Sequence, residues 1–221
     1  MRHPHGLRAA AAGGLVFPAI GAAYEGGFFA GYISHTANGV ATHVLIVAPA
    51  ATGATGTGYT LTTSKQWKTT NTVTTGTTSS FNGSANTAAM VTAGIALHPA
   101  AQFCTGLSIG GYTDWYLPAR YELDIAYQNL KPTTTSNHTS YGINPYSVPA
   151  RASNRTAGAP ARTTVVAFKS GGAQAFVASD HWSSTENASG DAWSVYFDEG
   201  VVGVNGKNFA FCVRAFRKVA V

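Results

Sequence analysis

Residues 180–218 read DHWSSTENASGDAWSVYFDEGVVGVNGKNFAFCVRAFRK, and their pattern decides the fold. Trp182-Ser183-Ser184-Thr185-Glu186 is an aromatic anchor followed by small hydroxyl residues. Ala192-Trp193-Ser194-Val195-Tyr196-Phe197 alternates with the period of a strand. A turn at Asp198-Glu199-Gly200 leads to Val201-Val202-Gly203-Val204, and Gly206 leads to a last strand through Phe209-Ala210-Phe211-Cys212-Val213-Arg214. Short period-two runs broken by Gly and Asn predict an antiparallel meander.

Upstream, Gly110-Gly111-Tyr112-Thr113-Asp114-Trp115-Tyr116-Leu117-Pro118 gives a strand that points Trp115 and Leu117 inward and ends at the proline. Residues 119–130 then carry an apolar stripe, Tyr121, Leu123, Ile125, Ala126 and Leu130, with Glu122 in the first turn where the helix dipole favours an anion. Residues 84–107 are also helical in spacing, and Pro99 either kinks that run or starts a second helix. Nearer the N-terminus, residues 28–33 and 42–48 read as two strands joined through Asn38-Gly39, a hairpin signal. Val165 to Phe168 and Ala173 to Ala178 read as short strands around Gly171-Gly172.

These segments predict an α+β domain of two helices and a twisted antiparallel sheet with long irregular loops. Residues 50–88, rich in Thr, Ser and Gly, read as an insertion in which Trp67 stands alone, and residues 131–163 as a long loop region. Residues 1–23 pair a basic start with a small apolar run, as a weak signal peptide does, yet Pro18 and three glycines interrupt it. They are read as an uncleaved extended arm for assembly or attachment, with the domain spanning residues 24–221. His3 and His5 lie in that arm without a third metal ligand near them.

The chain has 221 residues, of which 45% are apolar and only 10% charged, against about 25% charged in ordinary soluble proteins. Surface polarity must then come from Thr, Ser, Asn and Gly, a composition common in secreted and virion proteins. The net charge of +5 is spread along the chain, so no basic block suggests nucleic acid. No run is long and apolar enough to span a membrane.

Catalytic and metal signatures are sparse. Gly106-Leu107-Ser108-Ile109-Gly110 matches the serine-hydrolase string, but a helix precedes it and a strand follows, the reverse of a nucleophile elbow. There is no zincin, P-loop, Cys-x-x-Cys or EF-hand pattern. The nine acidic residues cannot be paired across a cleft from sequence. No enzyme activity, cofactor or metal is expected.

The blocks at residues 110–123 and 180–218 resemble the C-type-lectin-like domains of the Lcl C-terminal-domain family and of bacteriophage receptor-binding proteins. The resemblance rests on Trp182-Ser183-Ser184-Thr185, Ala192-Trp193, Phe197, Gly200, Lys207 and Val213-Arg214-Ala215-Phe216-Arg217, and covers residues 98–219. It implies a C-type-lectin-like fold and a framework that includes Trp182 and Trp193. It also implies exposed binding positions at His181, Glu186, Asn187, Ser189, Asp191, Tyr196, Asp198, Val202, Asn205 and Asn208, with help from the loop bearing Tyr141 and Arg155. Related domains carry cysteines at the places of Cys104 and Cys212, so the two are disulfide candidates, or else buried free thiols. The calcium-site strings of animal C-type lectins do not occur.

The function this implies is that of a non-enzymatic phage virion protein (tail fibre, tail tip or capsid decoration). Its partners would be other virion proteins and a host-surface glycan or protein, and it would be a homo-oligomer, a trimer for preference. A secreted adhesin of the same fold is the alternative, and a surface-polysaccharide hydrolase the second.

Overall fold

The computed structural model describes residues 18–59 and 62–221. The chain runs through β1 (Ala23–Tyr24), β2 (Gly27–Ile33), β3 (His43–Val47), α1 (Ala50–Gly53), β4 (Ala54–Thr55) and β5 (Lys65–Gln66). Three longer helices follow, α2 (Gly83–Thr92), α3 (Pro99–Thr105) and α4 (Arg120–Leu130), and then β6 (Ser147–Val148). The end of the chain supplies β7 (Asp180–Glu186), β8 (Asp191–Tyr196), β9 (Val202–Gly206), β10 (Ala210–Phe211), β11 (Val213–Arg214) and β12 (Phe216–Ala220). The α+β class expected from the pattern is the one observed.

One sheet has the order β1-β2-β3-β12, with β6 added on β2. The hairpin expected around Asn38-Gly39 is formed by β2 and β3. The register of that hairpin shifts between Phe29 and Gly31. Gly31 has φ +140°, and a Cβ there would lie 2.7 Å from the Asn129 amide nitrogen of α4. The bare backbone lets the helix settle on the strand, and Asn129 Nδ2 donates to Ala30 O at 2.7 Å.

Helix α4 buries Leu123, Ile125, Ala126, Tyr127 and Leu130 against Leu45, Val47, Val195, Phe197 and Phe216. Glu122, in its first turn, accepts from the Ala119 N–H at 2.7 Å and the Gly83 N–H at 3.2 Å, so one carboxylate joins the N-termini of α4 and α2. A second apolar cluster gathers Trp67, Met90, Ala100, Cys104, Trp115, Leu117 and Trp182. Pro99 begins α3 rather than kinking a longer helix.

The strands β7-β8-β9 form the antiparallel meander expected of residues 180–206. The meander stops there. Residues 209–214 do not continue it, because β10, β11 and β12 leave to pair with β5, β4 and β3. At the point of departure Lys207 is buried and bound to Glu186, which turns the chain away from β8.

Two further expectations fail. Residues 166–168 form a 3-10 turn and residues 173–178 form no strand, because Phe168 and Phe176 both plug into the core and Gln174 N–H closes back onto Ala167 O at 2.7 Å. Trp67 is no isolated loop residue. It is fully buried and its indole donates to Ser183 O at 2.8 Å, which ties the 50–88 segment to β7. Most of the arm, residues 1–17, lies outside the described residues, whereas the Gly21 and Ala22 backbones already bond to Phe29.

Candidate functional site

The expected binding positions in residues 181–208 fall into three groups. His181 and Glu186 are buried, so neither holds the exposed position foreseen for it. His181 packs on Phe176 and Phe197, and burial pulls its pKa down to about 3. Glu186 is bound by the Lys207 ammonium and by Thr77 Oγ1, and accepts the Thr74 N–H at 2.9 Å. Arg155 is also buried, bound to Asp124 and to Gly200 O at 2.6 Å.

A second group lies on the face of the meander turned away from α4. Asn205 Nδ2 donates to Ser194 Oγ at 2.9 Å, Ser194 donates to Asp180 at 2.7 Å, and Tyr59 donates to the same carboxylate at 2.8 Å. Asn187, Ser189 and Asn208 are exposed, and Asp191 is half-buried, at the ends of these strands. Tyr196 and Asp198 are half-buried at the β8–β9 turn, where the Asp198 carbonyl accepts from Thr133 at 3.2 Å.

The third group lines a cleft of about 250 Å³. Val202 and Tyr141, both foreseen, meet there with Arg120, Tyr121, Ile143 and Trp193, which were not. The start of α4 forms one wall, the loop at residues 140–143 the second, and the edge of β8 and β9 the third. Trp193 was expected in the framework core, but it is half-buried and faces this space. The Arg120 guanidinium lies over both Tyr121 and Trp193, 4.6 Å from each ring centre. Its one hydrogen bond, 3.1 Å, runs to the Tyr121 hydroxyl, and its Nε is buried without a partner.

Asp124 forms the floor. Arg151 and Arg155 each take one of its oxygens, and Asn144 Nδ2 donates to it at 2.7 Å. Burial lowers both arginines to about 10, and they remain charged at neutral pH. The carboxylate is thus a clamp that holds the 141–155 loop on α4. Gly142 belongs to the same clamp, since its carbonyl accepts from Arg151 Nε at 3.0 Å.

The acids elsewhere are similarly committed. Glu122 is wholly buried, bonded to Tyr116 at 2.9 Å, and burial raises its pKa to about 7. Among the described residues no three His, Cys, Asp or Glu side chains come close enough to hold a metal ion. Ser108 follows α3 as expected, but the strand expected at residues 110–118 is not formed. A tight turn closed by Ile109 and Tyr112 leads into extended chain with a single bridge from Tyr116 to Phe216, because the segment is held by its buried Trp115 and Leu117 rather than by a ladder. Cys104 and Cys212 are both buried free thiols, so the disulfide candidate is not formed. Cys104 sits among Trp67 and Trp115 in the second cluster, while Cys212 lies against the Gly56 backbone. No helix among the described residues is long and apolar enough to cross a membrane.

One sequence signal could have found the cleft. Arg120 opens a helix, where the dipole disfavours a cation, and it does so next to an aromatic residue. A side chain placed against its local preference marks a position selected for something else. Compared with known families, residues 56–217 match the model of the Lcl C-terminal domain. No curated protein matches the chain.

Proposed function

The chain belongs to the Lcl C-terminal domain family, and from that premise we propose that it is a non-enzymatic recognition module of C-type-lectin-like fold on a bacteriophage virion. The observation that carries this reading is the cleft beside α4. It is open, largely apolar and aromatic, with a few polar groups, which is the usual make-up of a binding site. The carboxylates near it serve the scaffold instead, with Asp124 neutralised by two arginines. The module would recognise a host-surface molecule or a neighbouring virion protein through this cleft and the adjoining edge of β9.

The low charge and the Thr- and Asn-rich surface suit a particle protein held by its own copies in a tail fibre, tail tip or decoration. Tyr141 and Ile143 offer the cleanest test, because Ile143 is 52% exposed and neither is part of the Asp124 clamp. The double change Tyr141→Ala, Ile143→Asp should reduce host adsorption, or incorporation of the partner protein, at least tenfold while thermal unfolding stays within a degree or two of the parent. Particles that adsorb and assemble normally with both changes would refute the cleft as the recognition site. Detection of the chain in purified particles by mass spectrometry separates the virion reading from a secreted adhesin.

A further inference from the structure

We infer that the cleft takes the acidic side chain of a protein partner, an Asp or Glu flanked by apolar residues, with Arg120 as the residue that reads the carboxylate. The inference rests on the cleft being the recognition site, and it adds what the site recognises.

Three observations support it. Arg120 is the one cleft cation without a carboxylate. Arg151 and Arg155 lie outside the cleft lining and both bind Asp124, so the one acid of the lining is already neutralised and Arg120 is left without it. The Arg120 guanidinium is pre-positioned, stacked on Tyr121 and Trp193, with its Nε buried and one terminal nitrogen bonded to the Tyr121 hydroxyl at 3.1 Å. A guanidinium held flat in this way presents its remaining donors to a planar anion at little entropic cost.

The third observation separates a peptide from a sugar. A sugar ring needs several free donors and acceptors to match its hydroxyls; the cleft lining offers Ser140, Tyr141 and Asn154 for that, while the carboxylate and amide at its floor are already used. Both Asp124 oxygens are occupied. The Asn144 amide donates to Tyr121 O and Asp124, and its carbonyl oxygen accepts from the Tyr146 and Ser147 N–H groups. Around Arg120 the walls are mainly Ile143, Val202, Tyr121, Tyr141 and Trp193, with Ser140 and Asn154 as further polar side chains. Largely apolar walls around a cation that has no carboxylate match an acidic residue between apolar neighbours.

The full-length chain is titrated with the blocked tripeptide Leu-Glu-Leu, with Leu-Gln-Leu, and with glucuronate. Binding is read from the Trp193 indole signal in NMR spectra, assigned with Trp193→Phe. Leu-Glu-Leu should bind about tenfold or more tightly than Leu-Gln-Leu, the range expected for one charge-assisted pair. Arg120→Gln should remove that preference at unchanged melting temperature. Arg120→Glu should transfer it to Leu-Lys-Leu, a gain that mere unfolding could not produce. Equal binding of the Glu and Gln peptides, or full retention by Arg120→Gln, overturns the assignment. Arg120-dependent binding of glucuronate without the peptide overturns the choice of a protein partner. If neither probe binds, the acidic-partner inference falls, while the wider reading still stands or falls with the Tyr141, Ile143 variant, which leaves Arg120 intact.

Discussion

His181 is pressed between Phe176 and Phe197, and beyond burial the nearby Arg214 guanidinium also opposes its protonation. Its folded pKa of about 3 lies below the 6.5 of a free imidazole. Between those values the unfolded chain binds a proton that the folded chain does not. The stability tied to neutral His181 is therefore complete above pH 6.5 and is lost as pH falls toward 3. The slope approaches about 1.4 kcal/mol per pH unit for one proton. Glu122 acts with the opposite sign. Its pKa is raised to about 7, so its contribution is complete below 4.5 and fades as pH rises through 7. Melting temperatures recorded from pH 4 to 8 should fall on the acid side in the parent. His181→Phe should flatten that acid limb, and Glu122→Gln should flatten the neutral limb. Parallel curves for parent and His181→Phe would show that the ring titrates normally in the folded state.

Lys207 and Glu186 act at the scale of elements. Their buried pair joins the end of β7 to the residue that follows β9, and Lys207 Nζ also donates to Thr72 O at 2.9 Å and Ser189 O at 2.8 Å. Beside it, Lys68 Nζ donates to Val73 O at 2.9 Å. Beyond the short β5–β10 pairing at Lys65 and Gln66, the segment to residue 77 is therefore held by ammonium groups and by Trp67. Lys207→Met leaves the Glu186 carboxylate buried and uncompensated, and should cost about 3–5 kcal/mol in chemical denaturation. Adding Glu186→Met should recover a large part of that loss. A single variant as stable as the parent would mean that the pair adds nothing to this junction. This junction also explains what the sequence could convey. The meander β7-β8-β9, the β2–β3 hairpin and the stripe of α4 each carry their own periodicity, and all three were legible. Trp67, Lys207 and Arg120 work through partners more than 70 residues away or on another element, and no local pattern encodes such partners. The cleft was half legible for the same reason. Tyr141 and Val202 are foreseen as exposed positions, while the family resemblance places Trp193 in the framework and nothing local shows that its ring also borders the 140–143 loop.

At the scale of the whole molecule, sheet and meander share one core around α4, and in the proposed virion role the residues before Pro18 serve assembly. Deleting residues 1–17 should leave the melting temperature unchanged and convert an oligomer, a trimer on our proposal, to monomer in sedimentation velocity. An unchanged oligomer would place the self-association in the domain itself. The last strand carries a consequence of a different kind. β12 pairs along its whole length with β3, from Phe216 opposite Val47 to Ala220 opposite His43. The ribosome delivers β3 early and its partner some 170 residues later (216 less 47 gives 169). Until then β3 has β2 on one side and a bare edge on the other, rich in Val, Leu and Ile. Folding of this domain is thus deferred until β12 has been made, and a nascent chain stalled before residue 216 is a substrate for chaperones and proteases rather than a shortened binder.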